Sequence, residues 1–338
     1  MSCEACAASP VRVVLRIPES DLTAVRASLG NNAGEIWLGG GMMSLPPEAV
    51  TARIRYWQEF FDTSLWAAGL GNNRGLGTEE LQPFDVWAQG LPPVWLDELL
   101  ARGGLRMAIQ PIVDVGSGSI VACEMLVRAV SAAGDFISPG ALFQAARDQS
   151  RLFALDRACR IEAIAAATQL PSDWYVFINF VPTSIYVPEH CLRSTVEATR
   201  KHGLAKSRLV FEVVETELVE DLEHLRRILD FYRREGWQYA LDDFGEGYSD
   251  ETMLRAIQPD VVKLDRQFVD HVDADPAKRR VAEGLAQVAK SLGVRLLAEG
   301  VERPQEALLL RDLGYLWQQG YLYGRPTFDV PVEHINWR

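Results

Sequence analysis

Carboxylates and amides fall at the ends of short apolar runs throughout the C-terminal two-thirds of this 338-residue chain. Ile120–Cys123 runs into Glu124, Phe177-Ile178 into Asn179, and Leu209–Phe211 into Glu212, with Glu215 shortly after. Tyr239–Leu241 ends in Asp242-Asp243, and Val261-Val262 is followed by Lys263 and Asp265. Leu296–Ala298 leads to Glu299 and Glu302, and Trp317-Gln318 leads to Gln319. Oxygen ligands of these types suit a hard divalent cation such as Mg2+ or Mn2+ rather than zinc. Asp242-Asp243 is the strongest pair, because one carboxylate can bridge two cations while its neighbour completes the second site. Two cations about 3.5–4 Å apart can activate a water and stabilise the leaving oxygen in phosphodiester cleavage. Taken singly, each Asp or Glu reads more readily as a helix N-cap or a solvated charge. The joint pattern over six or seven strand ends is what points to one shared site. Lys263, flanked by Val261, Val262 and Leu264, must either reach solvent or meet a carboxylate. The following Phe244–Ser249 segment carries Gly245 and Gly247, as loops that move over active sites do.

These residues need elements that bring strand ends together. From about Leu105, short strands alternate with amphipathic helices such as Leu222–Glu235 and Lys278–Leu292. The predicted strands are Met107–Val113, Ile120–Leu126, Val176–Phe180, Leu209–Val214, Tyr239–Asp242, Val261–Leu264, Arg295–Ala298 and Tyr315–Gln318. Such alternation predicts parallel βαβ units. Eight strands over about 230 residues fit an α/β fold of the (β/α)8, TIM-like barrel type, whose strand C-termini meet at one mouth. An open doubly wound sheet is the alternative, but no G-x-G-x-x-G follows an early strand.

The N-terminal region reads as a small αβ domain. Val11–Ile17 and Glu35–Leu38 are strand candidates, and Ser20 is the expected N-cap of a helix over Asp21–Leu29. A longer helix begins at Pro46, with Val50, Ile54, Trp57 and Phe61 on one apolar stripe. Gly69–Gly77 reads as a loop or linker. Trp57, Phe60, Phe61 and Trp66 read as core or subunit interface rather than a cofactor pocket. The boundary is placed at Gln89, giving a 1–89 αβ domain of regulatory or dimerisation role and a 90–338 barrel.

Composition narrows the partners. Hydrophobic residues at 48% and charged residues at 24% are the balance of a globular protein with a substantial core. A net charge of -12 argues against gripping long nucleic acid, which needs clustered Lys and Arg. It does not exclude a small phosphorylated ligand, because bound cations can supply positive charge. The start MSCEACAASP lacks the pattern of a signal peptide, and no apolar run approaches the roughly 20 residues of a membrane span, so a cytoplasmic location is expected. Five thinly spread cysteines do not form a disulfide framework; Cys3 and Cys6 make a CxxC pair without an evident second half.

The succession QPIV (Gln110–Val113), EMLVR (Glu124–Arg128), FINF (Phe177–Phe180), FEVVE (Phe211–Glu215), LDDFGEGYS (Leu241–Ser249), VVKLD (Val261–Asp265), AEGVE (Ala298–Glu302) and QGYLYGRP (Gln319–Pro326) resembles the EAL-domain cyclic di-GMP phosphodiesterases, a bacterial signalling family. The resemblance runs from about Leu91 to the C-terminus, and eight modest motifs in order make it specific. It implies a barrel whose first strand is antiparallel to the rest, a homodimer, and hydrolysis of cyclic di-GMP to linear pGpG. It also implies two Mg2+ or Mn2+ ions per site, with Ca2+ inhibitory. Carried over by motif, Glu124, Asn179, Glu212 and Asp242 hold the first metal; Asp242 bridges to the second, which Asp243 also binds. Lys263 orients or activates the attacking water, Glu299 assists as a metal or water partner, Glu215 braces the loop after Asp243, and Gln319 supports the network. Gln110 and Arg128 contact the nucleotide, Arg128 on a phosphate. Nearby cations are expected to depress the pKa of Lys263 by like-charge repulsion, offset by carboxylates; general-base and electrostatic roles both remain open for it.

The chain departs from the family pattern in three places. Met125 stands for the alanine of Glu-Ala-Leu, Glu246 and Asp250 add negative charge to the usual DFGTGYSS loop, and Ala146-Arg147-Asp148 replaces a Glu-Glu pair. Two other readings compete: a catalytically weak cyclic di-GMP receptor, and an unrelated metal-dependent barrel using Lys263 as base.

Overall fold

The computed structural model describes residues 12–29, 34–51, 53–72, 75–76, 81–89, 95–149, 151–185, 187–214, 222–244 and 251–331. The chain divides into two compact units. One comprises Met1–Gly104, Ser131–Leu155 and Glu189–Cys191, and the other Leu105–Val130, Asp156–Pro188 and Leu192–Arg338.

The first unit is built on an antiparallel sheet. It runs β1 (Arg12–Arg16), α1 (Glu19–Leu29), β2 (Ile36–Gly39), β3 (Met42–Leu45), α2 (Pro47–Thr51), α3 (Ile54–Phe60), β4 (Ala67–Asn72), β5 (Gly75–Leu76), β6 (Gln82–Pro83), α4 (Phe84–Gln89) and α5 (Trp95–Ala101). The sheet order is β2-β3-β1-β4-β5, with β6 also on β4, so the apolar β1 is central and its Val13, Val14 and Leu15 are buried. Three expectations change here. Gly69–Gly77 is not a linker: β4 and β5 cover most of it, and Gly69 and Gly71 pair with Val14 and Arg12. The main-chain ladder with β1 overrides the poor strand propensity of glycine. The helix α1 starts at Glu19, placing Ser20 inside the first turn, where acidic Glu19 and Asp21 complement the helix dipole instead of a serine cap. The helix from Pro46 breaks at Arg53, whose guanidinium donates to the terminal carbonyls of α1 at Ser28 (2.7 Å) and Leu29 (2.5 Å). Strand β3 went unforeseen because Gly39, Gly40 and Gly41, all at positive φ, fold a tight turn before it. As expected, Trp57 and Trp66 are core residues.

The same unit includes β9 (Phe136–Ile137), α6 (Pro139–Asp148) and the start of α7 (Leu152–Ala166). Phe153 packs edge-on against Tyr56 at 5.3 Å, and Arg151 pairs with Asp97 at 2.9 Å, which joins this later segment to the N-terminal core.

The second unit contains a closed barrel of eight strands: β7 (Leu105–Asp114), β8 (Ser119–Val130), β10 (Tyr175–Asn179), β11 (Leu209–Val214), β12 (Gln238–Phe244), β13 (Val261–Leu264), β14 (Arg295–Ala298) and β15 (Trp317–Gln319). Pairing of β8 with β10 closes it, and β7 is antiparallel to both neighbours while the other pairs are parallel. Apart from α8 (Pro188–Cys191), which falls almost wholly in the first unit, the interleaved helices are α9 (Arg193–Lys201), α10 (Leu222–Glu235), α11 (Glu251–Ile257), α12 (Arg266–Val269), α13 (Pro276–Leu292) and α14 (Pro304–Leu313). The longest, α13, begins with Pro276 behind the N-cap Asp275, which accepts from Ala277 N at 2.8 Å, and stops at left-handed Gly293. Inside the barrel one buried residue per strand forms a layer: Ile112, Ala122, Phe177, Val210, Ala240, Val261, Leu297 and Trp317. Among the described residues no helix is long and apolar enough to cross a membrane.

Candidate active site

Side chains alternate faces along a strand, so residues two apart point the same way. Two residues beyond each member of the apolar layer, toward the C-terminal ends of the parallel strands, stand Glu124, Asn179, Glu212, Asp242, Lys263, Glu299 and Gln319. On the antiparallel β7 the same level is reached two residues earlier, at Gln110, paired in register with Glu124. One strand-end layer therefore replaces hydrocarbon with eight polar side chains.

These groups touch one another. Asn179 Nδ2 donates to Glu124 Oε1 at 2.9 Å and Glu212 Oε2 at 3.0 Å, and Gln319 Nε2 donates to Glu124 Oε2 at 2.7 Å. Lys263 Nζ, almost fully buried, lies 2.5 Å from Glu212 Oε1 and 3.1 Å from Asp242 Oδ2, and also pairs with Glu299. Gln110 Nε2 reaches Gly324 O at 3.4 Å. An open cleft of ≈ 180 Å³ lies over the layer, lined by Gln110, Glu124, Glu299 and Gln319 together with Arg266, Glu302 and Tyr321.

The electrostatics follow from burial. Burial drives Glu212 well above the ordinary carboxylate range, and the neighbouring Glu124 charge adds to it. Burial and Asp242 do the same to Glu299. For Glu124 burial acts in the same direction, but Lys263 and the hydrogen bonds from Gln319 and Asn179 outweigh it and hold the group below its usual value. Lys263 is governed by its carboxylate neighbours. Burial opposes its charge, yet Asp242, Glu212 and Glu299 together hold the ammonium well above the ordinary lysine range. Three surrounding carboxylates outweigh the cost of burial.

One oxygen each from Glu124, Glu212 and Glu299 lies within 4.8 Å of the others, a spacing a single divalent ion can span. Gln319 Oε1 is buried and accepts no hydrogen bond among the described residues, while Glu212 Oε1 and Glu299 Oε1 are met by Lys263. Carboxylate and amide oxygens with spare acceptor capacity are the donor set of Mg2+ or Mn2+, so the residues present fit such ions. Asp270, His271 and Glu306 also come close, but Glu306 is occupied by the backbone N–H groups of His271, Glu302 and Arg303.

Of the other expected residues, Arg128 is described and falls elsewhere. Arg128 lies four residues past Glu124 on β8, with its guanidinium donating to Val127 O at 2.8 Å, and does not line the cleft. Asp243 has its backbone in β12, but its side chain, like Glu215, Glu246, Asp250, Cys3 and Cys6, lies outside the described residues. Asp265 is an N-cap, accepting from Gln267 N at 2.7 Å, the ordinary role of an Asp after a strand. Arg266, Gly300 and Tyr321 were missed; the only sequence hints were an arginine directly after VVKLD and the glycine of AEGVE.

A profile of the EAL domain matches residues 94–326. A probable cyclic di-GMP phosphodiesterase of Escherichia coli K12, PdeG, is 31% identical over 250 residues, covering 71% of this chain and 48% of PdeG. The cyclic di-GMP phosphodiesterase PdeL of the same organism is 27% identical over 223 residues, 65% of this chain and 61% of PdeL. The chain spans less than half the length of the first curated relatives it matches. Among solved structures, a standalone versatile EAL protein from Vibrio cholerae O395 in its c-di-GMP bound form superposes with a TM-score of 0.61 at 33% identity, covering 69% of this chain and 95% of that one. Klebsiella pneumoniae BlrP1, as a calcium/cy-diGMP complex, shares the fold over 96% of this chain and 98% of its own, with a TM-score of 0.63 at 23% identity. The chain belongs to the EAL-domain family.

Proposed function

We propose that this protein hydrolyses one phosphodiester bond of cyclic di-GMP, adding water to give linear pGpG. The observation that carries the reading is the strand-end layer in which a buried lysine sits among carboxylates beneath an open cleft. The names of the relatives PdeG and PdeL, and the ligand of the Vibrio cholerae protein, supply the substrate. Glu124, Asn179, Glu212, Asp242 and Asp243 are the residues that would hold two Mg2+ or Mn2+ ions. When bound, such ions supply Lewis acidity at the scissile phosphate.

The chain's own groups do the rest. Lys263 is charged, rigidly held and unable to reach bulk solvent, so it fixes positive charge where the attacking water must lie. Glu299, raised by burial and Asp242, is suited to exchange a proton with that water. Gln319 and Asn179 lock the Glu124 carboxylate with one hydrogen bond to each oxygen. Glu215 would brace the loop after Asp243. Gln110 at the cleft and Arg128 further along β8 are assigned to the nucleotide. Residues 1–89 are assigned a regulatory or dimerising role toward the 90–338 barrel, and the working form is a homodimer.

Purified protein with Mn2+ or Mg2+ should convert cyclic di-GMP to pGpG, followed by chromatography, and Ca2+ should inhibit. Glu124→Ala should remove most of that turnover. Tight binding without turnover under both metals would favour a receptor instead, and absence of binding would sink both readings.

A further inference from the structure

The cleft is more acidic than its proposed substrate would favour. Glu124, Glu299 and Glu302 line it, against a single cationic side chain among the described lining residues, Arg266. Lys263 lies beneath, already surrounded by carboxylates. Arg266 is the first residue of α12, directly after the N-cap Asp265 and three residues beyond Lys263.

Its side chain is 60% exposed and is held on two sides. Nη2 donates to Glu302 Oε1 at 2.8 Å, and no other hydrogen bond of the guanidinium is made among the described residues. The aliphatic stem lies against Gly300, which sits in the left-handed region at φ +66; a Cβ there would collide with Cβ, Cγ and Cδ of Arg266. Gly300 thus allows the arginine to lie flat over the turn that carries Glu299 and Glu302. An exposed ion pair of this kind is a weak restraint. A phosphate offers a guanidinium two parallel charge-assisted hydrogen bonds, a stronger partner than a half-exposed carboxylate.

We propose that Arg266 is a phosphate-binding residue of this cleft, held across its mouth by Glu302 and released to a phosphate of the bound cyclic dinucleotide. The assignment rests on the function proposed above. Cyclic di-GMP carries two phosphates. One is cleaved at the carboxylate cluster, and the other needs its own counter-charge within the cleft. Arg266 is the described cation placed to provide it.

The test is steady-state hydrolysis of cyclic di-GMP with Mn2+ by wild type, Arg266→Ala, Arg266→Lys and Glu302→Gln, with thermal unfolding of each. Arg266→Ala should raise KM roughly 10–100-fold, the range a charge-assisted hydrogen bond supports, with a far smaller change in kcat and little change in Tm. Arg266→Lys should recover part of the loss. Glu302→Gln should lower KM, because the competing carboxylate charge is gone. A wild-type KM in Arg266→Ala would overturn the assignment and leave the proposed function standing. A raised KM in Glu302→Gln would overturn the release step. Wild-type protein that neither binds nor cleaves cyclic di-GMP would remove the function and this assignment together.

Discussion

Arg12 of the N-terminal sheet and Lys263 of the barrel are both buried cations, and they are used differently. In the N-terminal sheet, Arg12 donates to Ser44 Oγ at 2.6 Å, to Ser44 O at 2.9 Å and to Gly34 O, while Arg53 closes the end of α1. Those partners are neutral, mostly main-chain oxygens, and the arginines act as staples for backbone that would otherwise lack donors. In the barrel, Lys263 faces three carboxylates and no main-chain acceptor among its described ion pairs. A cation spent on carbonyls satisfies a fold. A cation set among carboxylates that repel one another keeps a reactive arrangement in place, as active sites do.

The largest expected difference comes from removing each cation. Lys263→Met leaves Glu212, Asp242 and Glu299 facing one another, so the protein in EDTA should lose about 3–5 kcal/mol, the cost of breaking a buried pair. Urea unfolding reads this, Mn2+ should restore much of the loss, and hydrolysis should fall close to background. Unchanged stability in EDTA would show that Lys263 is not the counter-charge of the cluster.

Arg12→Met should cost about 1–3 kcal/mol, the penalty for unpaired buried acceptors, with turnover per folded molecule unaltered. If turnover falls at full folding, the sheet is not merely structural. Removing residues 1–89 should leave a folded 90–338 barrel with altered activity or dimerisation and a lower Tm, since Phe153 loses Tyr56 and Phe60. An unfolded fragment would mean that the N-terminal residues complete its core.

The smallest effect is on pH dependence. Glu212 and Glu299 have raised pKa values in the folded protein, so their contribution to stability is fully present below the ordinary carboxylate value of 4.5 and is lost as pH rises through the folded value. Glu124 is lowered, so its contribution is present above 4.5 and is lost as pH falls through its folded value. Protons held unusually tightly by Glu212 and Glu299 compete with metal. The Mn2+ dissociation constant should therefore rise on acidification while ordinary carboxylates remain ionised, by up to about tenfold per pH unit for each coupled proton. Calorimetric titration reads it, and Glu212→Gln should flatten the dependence; a pH-independent constant would refute the coupling.

Residue types and local spacing made much of the barrel legible. Leu209–Val214, Val261–Leu264 and Arg295–Ala298 are strands over the expected ranges, because β-branched and aliphatic runs bounded by polar residues have few other uses. The N-terminal sheet was harder. Its Gly69 and Gly71 sit in β4, where pairing with β1 decides the conformation and side-chain propensity says little. Arg266 escaped notice because an arginine at a helix start has no local signature of substrate contact; only the facing Gly300 and Glu302, more than 30 residues later, give it one.

What the sequence determined is a period of two: on each barrel strand an apolar residue and a polar one two positions away share a face, a property of the extended backbone alone. Whether eight such faces meet depends on closure, and Gln319 reaches Glu124 across 195 residues of chain. Charge state was likewise left to tertiary structure. Lys263 stands on β13, but its proton is secured by Asp242, Glu212 and Glu299 from three other segments, and desolvation at that meeting point sets how strongly each holds the others.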